Sequence, residues 1–263
     1  MNGISRLQSV FRNAHDEGRK VVVPYVTAGD PDLQTTRSLL DAVAEGGADI
    51  IELGIPFSDP TADGPTLQRA ALRALNGGFS FSAAMEMLAD FTAKNDTPVI
   101  LFGYSNPFYQ FGYERLAKRM VDIGACGLLC VDLPPEEVTP LLTPLREHGL
   151  AFVPLLTPVS GPDRIELAKS TGDAFGYYVS VTGVTGSDLA DRGPTAERIS
   201  SVRTALDRPM VVGFGVRTPE DAQRLGQHAD GIVVGSALVE LAHTTPAPDK
   251  CAAVTRFVAS LAH

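Results

Sequence analysis

Residues 99–131 read VILFGYSNPFYQFGYERLAKRMVDIGACGLLCV, two short apolar runs on either side of a helical stretch. Val99–Phe102 and Gly127–Val131 show no clean alternation of apolar and polar residues, as expected of parallel strands buried on both faces. Between them, over Glu114–Ile123, Leu116, Met120 and Ile123 recur at helical spacing. A strand that returns parallel to its neighbour needs such a crossover. The stretch therefore predicts one strand–helix–strand unit.

The same unit recurs in both directions along the chain. Val21–Val26, Ile50–Leu53, Phe152–Leu156, Gly176–Ser180, Met210–Val212 and Gly231–Val234 bring the strand-like runs to eight. Their starts lie 21 to 49 residues apart, which leaves room for a helix in each gap. Asp32–Glu45 carries Leu33, Leu39, Leu40 and Val43 on one stripe. Pro134–Glu137 opens another helix, closed by Arg146 and His148 before Gly149, and Thr218 caps a third ahead of Pro219. The widest gap predicts two helices, Thr66–Leu75 and Phe81–Phe91, split by Gly77-Gly78, and an amphipathic stretch, Ile4–Glu17, precedes the first strand. The expected fold class is α/β. It is a single (β/α)8 TIM barrel, one domain over residues 1–263, with an extra N-terminal helix and an extra helix after strand 2. An open doubly wound sheet is the alternative.

Composition narrows the function classes. The chain has 263 residues, close to the ~250 of such barrels, and is 44% hydrophobic. Its 22 basic and 31 acidic residues give a formal charge of −9, which argues against nucleic acid or an anionic membrane as main partner. No apolar run approaches the ~20 residues of a membrane span, and Met1–Lys20 has no signal-peptide pattern. Three cysteines make no disulfide framework, so a cytoplasmic setting is expected.

In a barrel the site lies where strands run into the loops that follow them. The second such loop, Glu52 to Thr66, is the richest, with three prolines and two glycines. Glu52 ends an apolar strand, where a carboxyl is costly unless paired or used, and where its pKa is raised into the range of a proton shuttle. Asp63 stands eleven positions on. Plainer readings are a buried salt-bridge partner for Glu52 and a turn and helix cap for Asp63. The last three loops carry Gly183 and Gly186, Gly213 and Gly215, and Gly235-Ser236. Glycines admit a ligand to the backbone N–H groups, and a helix after Gly235-Ser236 adds its dipole, so these loops could hold a phosphate without a lysine. Tight turns are the plainer reading. His15, His148, His228, His243 and His263 have no serine or carboxylate arrangement near them. Cys126 and Cys130 flank the fourth strand as buried thiols rather than zinc ligands, and no metal site is expected.

At these residues the sequence resembles the tryptophan synthase alpha chain family. Pro24-Tyr25-Val26-Thr27-Ala28-Gly29-Asp30-Pro31 looks like that family's first-strand motif, and Glu52 to Gln68 like its signature loop. Tyr104-Ser105-Asn106-Pro107, Gly183-Val184-Thr185-Gly186, Gly213-Phe214-Gly215 and Gly235-Ser236 match in order and spacing, so the resemblance runs from about Ser5 to Leu261. Thr61 and Val181 vary from the common pattern.

The resemblance implies a barrel lyase that cleaves indole-3-glycerol phosphate to indole and glyceraldehyde 3-phosphate in tryptophan biosynthesis. It assigns proton transfer to Glu52 and Asp63. It makes Gly186, Gly215, Gly235 and Ser236 phosphate holders, with Thr185 among the substrate contacts. Tyr104, Phe214 and either Tyr177 or Tyr178 are expected to line the indole pocket. No cofactor is expected in this chain. Pyridoxal phosphate belongs to the implied partner, the tryptophan synthase beta subunit, in an alpha2beta2 tetramer. A stand-alone indoleglycerol-phosphate lyase and a non-catalytic barrel that activates a partner are the competing readings. The synthase that makes indoleglycerol phosphate needs a lysine acid at a strand end, and none sits on the strand ends assigned above. Thr185–Gly193 is polar, with only Leu189 as a large apolar anchor, and is expected to order only on closing over substrate.

Overall fold

The computed structural model describes residues 1–179, 193–213 and 215–261. Its strands are β1 (Val21–Thr27), β2 (Ile51–Gly54), β3 (Val99–Gly103), β4 (Gly127–Cys130), β5 (Ala151–Phe152), β6 (Leu155–Leu156), β7 (Gly176–Tyr178), β8 (Met210–Gly213) and β9 (Gly231–Val234). All pairings are parallel, and the order β5-β4-β3-β2-β1-β9-β8-β7-β6 brings the two ends of the sheet together at the fifth barrel strand. That strand was expected as one run, Phe152–Leu156. The structure divides it at Val153-Pro154, because Pro154 has no N–H to continue a ladder. Val153 N–H still donates to Leu128 O on one side (3.0 Å), and Tyr177 N–H donates to Pro154 O on the other (3.0 Å). The result is the eight-stranded α/β barrel.

Helices fill every gap around it. They include α1 (Gly3–Asp16), α2 (Leu33–Glu45), α3 (Pro65–Asn76), α4 (Phe81–Thr92), α5 (Ser105–Phe111), α6 (Tyr113–Asp122), α7 (Thr139–Glu147), α8 (Pro162–Thr171), α9 (Gly193–Leu206), α10 (Pro219–Gly226), α11 (Ser236–Thr244) and α12 (Ala247–Ala259). Asp32 is the N-cap of α2 rather than its first residue, accepting from Thr35 N–H at 2.6 Å, and Thr218 caps α10 as expected. The helix expected to open at Pro134–Glu137 is only a 3-10 turn there, Pro135–Glu137, and α7 starts afresh at Thr139. Pro140 accounts for the break: inside a continuous helix its ring would meet the carbonyl one turn back. Helix α5 was read only as a loop motif.

Two apolar layers hold the barrel. The outer one packs helices on strands, with Leu39, Leu40, Leu88, Phe91 and Leu116 among its buried members. The inner one fills the barrel with Val21, Val23, Ile50, Ile100, Leu129, Val153, Phe175 and Val211. Helix α1 plugs the end where the strands start: Leu7 and Phe11 join the inner layer, and Phe11 meets Phe175 at 5.1 Å between ring centroids. The opposite end, where the strands finish, is left for polar groups.

Candidate active site

Glu52 follows Ile50 at inward positions of the second strand, so the pleat that buries Ile50 in the barrel aims the Glu52 carboxyl the same way. The side chain is completely buried, and neither carboxyl oxygen has a hydrogen-bond partner. No cation pairs with it among the described residues, which removes the salt-bridge reading. Loss of hydration alone pushes its pKa up to about 8, so the acid is protonated at neutral pH.

Two phenols lie above it. Tyr25 stands in register with Glu52 on the neighbouring strand. Its hydroxyl crosses to β2, where a Cβ on Gly54 would fall 2.0 Å from it. On the far side the Tyr177 hydroxyl occupies the same kind of space over Gly213, at 2.1 Å. Both glycines are needed because the rings fill the volume their side chains would take. Strand parity separates the adjacent tyrosines. Tyr177 belongs to the inner layer and senses both Glu52 and Asp63. Tyr178 points outward among Leu156, Ile165, Ile199 and Val202.

The loop after β2 brings in Asp63. Short turns shape it: Thr61 N–H donates to Asp59 O (2.8 Å) and Asp63 N–H to Pro60 O (3.1 Å). Helix α3 begins with Gly64 as N-cap and no side-chain cap, so Asp63 is not the helix cap. Instead its carboxyl is half-buried and faces the Tyr104 hydroxyl. Burial pushes its pKa up to about 6, against the opposing pull of that hydroxyl, so it is mostly ionised at neutral pH. Tyr104 follows β3. It is buried, packs on Phe57 with ring centroids 5.3 Å apart, and accepts a hydrogen bond from Ala62 N–H (3.1 Å). It ties the Asp63 loop to the barrel.

Gly215 takes φ +80°, a left-handed conformation open to glycine. Gly235 is the N-cap of α11, and Ser236 is that helix's first residue, so the helix N-terminus opens toward the same mouth. A Cβ on Gly235 would meet only Tyr25 Cβ, at 3.8 Å, so the protein itself leaves room there. Thr185, Gly186 and Phe214, with Val181 and the segment after Thr185, lie outside the described residues. Cys126 and Cys130 are buried, and burial raises both thiols. Tyr25 escaped the sequence reading as a site residue. Its signal was there: a tyrosine in an aliphatic strand, opposite a strand that ends Glu52-Leu53-Gly54.

Similarity to known proteins points to one family. The family model for the tryptophan synthase alpha chain matches residues 11–261. A tryptophan synthase alpha chain from Geobacter sp. (strain M21) is 46% identical over 237 residues, covering 90% of this chain and 89% of its own. One from Azoarcus sp. (strain BH72) is 41% identical over 256 residues, covering 97% and 94%. Tryptophan synthase subunit alpha from Legionella pneumophila str. Paris superposes with a TM-score of 0.91 at 35% identity, over 99% of this chain and 97% of its own.

Proposed function

The chain belongs to the tryptophan synthase alpha chain family, and we propose from that premise how its residues do the work. The reaction is the lyase step that cleaves indole-3-glycerol phosphate to indole and glyceraldehyde 3-phosphate in tryptophan biosynthesis. The observation that carries the assignment of roles is the Glu52 carboxyl, fully buried with both oxygens unpartnered, beside a second carboxyl of lower pKa.

Carbon–carbon cleavage needs a place for the bonding electrons. Protonated Glu52 delivers its proton to C3 of the indole ring, which becomes an electron-poor indoleninium. Ionised Asp63 faces the ring N–H and stabilises the positive charge that appears there. Glu52, now a carboxylate, takes the proton from the glycerol hydroxyl on the adjoining carbon. The O–H electrons form the aldehyde C=O, the C–C bond breaks, and its electron pair returns to the ring to restore indole. Glu52 ends as it began, protonated. Because the protonated ring is itself the electron sink, this scheme asks for no cofactor in the chain. Two carboxyls with separated pKa values divide the labour, the higher as acid and the lower as charge stabiliser.

The phosphate end of the substrate is assigned to backbone N–H groups at Gly186, Gly215 and Gly235 with the Ser236 hydroxyl, and Thr185 and Phe214 complete the substrate contacts. A pyridoxal-phosphate beta subunit that consumes indole is the partner of this family's alpha chains, and an alpha2beta2 assembly in the cytoplasm is the state proposed here. No helix among the described residues is long and apolar enough to cross a membrane. Asp63 is carried by a loop rather than the barrel wall. A partner docked on the strand-end face would therefore raise turnover by favouring the closed arrangement of the loops. The test is indole release from indoleglycerol phosphate by the purified chain, alone and with saturating beta subunit. Weak release alone and a large gain with the partner is expected. Full release alone, unchanged by the partner, points to a stand-alone lyase, and no release in either case ends the reading.

A further inference from the structure

The scheme above leaves Tyr25 without a role, although its ring lies over Gly54, two positions from Glu52 on β2. Gly54 is the next inward position after Glu52 on the way out of the barrel, so a phenol lying over Gly54 lies one layer above the Glu52 carboxyl. The ring is held from both flanks. On the β3 side it meets Phe102 edge-on, at 5.3 Å and 86°. On the β9 side it packs with Val239 of α11. Tyr177 over Gly213 extends the layer across the barrel. Tyr25 and Tyr177 are 6% and 7% exposed and Glu52 is 0% exposed, so the phenols form the boundary and Glu52 lies behind it.

We propose that Tyr25 is a positioning residue for the proton transfer, its ring acting as the shutter that keeps bulk water off the Glu52 carboxyl. The inference rests on the reading of Glu52 as the proton carrier. It accounts for three observations together. Neither Glu52 oxygen has a hydrogen-bond partner. Desolvation is the sole cause that raises this acid. Gly54 is a glycine with no positive φ to require one, so the ring is the reason for it. The titratable groups that sense Glu52 are Tyr25 from β1 and Tyr177 from β7, and both also sense Asp63 on the loop after β2. None of them supplies a positive charge. Tyr25 is singled out because β1 is the direct neighbour of β2, with Tyr25 and Glu52 in register.

A side chain that stops short of Gly54 should let water reach the carboxyl, and a rehydrated carboxyl ionises more readily. The experiment is a pH titration, from 5 to 10, of the free full-length chain carrying 13C at the glutamate carboxyls. The Glu52 signal is identified by its loss in Glu52→Gln. In wild type and Tyr25→Phe the midpoint is expected near the same elevated pH. In Tyr25→Leu and Tyr25→Val it is expected at least one pH unit lower. Gly54→Ala, which displaces the ring from outside, should move it the same way and decides the matter if the Tyr25 truncations do not fold. An unchanged midpoint in the truncations and in Gly54→Ala overturns the shutter. So does a Tyr25→Phe midpoint displaced as far as that of Tyr25→Leu, because the ring would then not be what matters. Failure of the underlying reading looks different: Glu52→Gln would keep its turnover, whatever the titrations show.

Discussion

Carboxylates stand at both ends of the barrel, and the two ends treat them in opposite ways. At the end where strands start, Asp49, Asp173 and Asp230 repeat one device. Each donates its own N–H to the carbonyl of a residue in the neighbouring strand, Val22, Phe152 or Met210. Each accepts that residue's N–H on its carboxylate, at 2.8, 3.0 and 2.9 Å. Each is also gripped by an arginine: Arg19, Arg146 and Arg203. These carboxylates lock strand to strand, and every oxygen is occupied. At the mouth, Glu52 is more deeply buried than any of them and has no partner at all. A paired charge near a surface adds stability, whereas an unpaired acid in a barrel removes it. At the mouth nothing satisfies the Glu52 carboxyl, and burial leaves it holding its proton at neutral pH.

Breaking the mouth should give the largest effect. Glu52→Gln keeps the shape and loses the proton, so turnover should fall by at least roughly 10²–10⁴-fold with the fold intact. Near-wild-type indole release in a folded variant would remove Glu52 from the scheme. Asp63→Asn comes next. The charge it stabilises develops mainly in the transition state, so kcat should fall by about 10²-fold or more while KM changes little. A raised KM with kcat unchanged would contradict that role. At the phosphate end, Gly235→Val places atoms where the protein has left room. Affinity for glycerol 3-phosphate, measured by calorimetry, should drop by about tenfold or more, roughly 1.4 kcal/mol, and unchanged affinity would move the phosphate elsewhere.

The remaining effects should be on stability, and they should differ in sign between the two ends. Asp49→Asn breaks the Arg19 pair and the bond from Val22 N–H, and should cost on the order of 2–4 kcal/mol with per-molecule turnover unchanged while folded. Glu52→Gln should stabilise. The folded-state pKa of Glu52 is raised to about 8, so between its ordinary range near 4.5 and about 8 the unfolded chain releases a proton that the folded chain keeps. Wild type therefore loses stability relative to Glu52→Gln as pH rises through that window, and the gap is constant above it. Denaturant unfolding at pH 5 and pH 8.5 checks this. A gain of at least about 1 kcal/mol at the higher pH, and little at the lower, is expected.

Much of this contrast was legible in the sequence. Parallel strands buried on both faces leave continuous apolar runs, and a glutamate inside one stands out, so Glu52 and the barrel were both readable. The broken fifth strand and the restart of α7 were not, because each depends on where one proline falls relative to a hydrogen-bond ladder. The choice between Tyr177 and Tyr178 turns on a single step of strand parity, invisible until the register is known. Tyr25 was hidden for another reason. Its importance lies in the empty space over Gly54 on the adjacent strand, a pairing that no local pattern records. The strand-locking role of Asp49, Asp173 and Asp230 is equally non-local, since each carboxylate finds its partners 20 to 30 positions away.

The central claim is that the mouth holds a protonated acid at neutral pH and spends that proton on the substrate. The most direct measurement is kcat/KM for indole release from indoleglycerol phosphate between pH 6 and pH 10, with the beta subunit saturating. The competent free enzyme carries Glu52 protonated and Asp63 ionised, so the account expects a rate that rises about twofold above pH 6, where Asp63 titrates, a plateau up to about pH 8, where Glu52 titrates, and about a tenfold fall for each further pH unit. A rate that stays level from pH 7 to pH 10, or one that already falls as pH rises from 6 to 7, would contradict it.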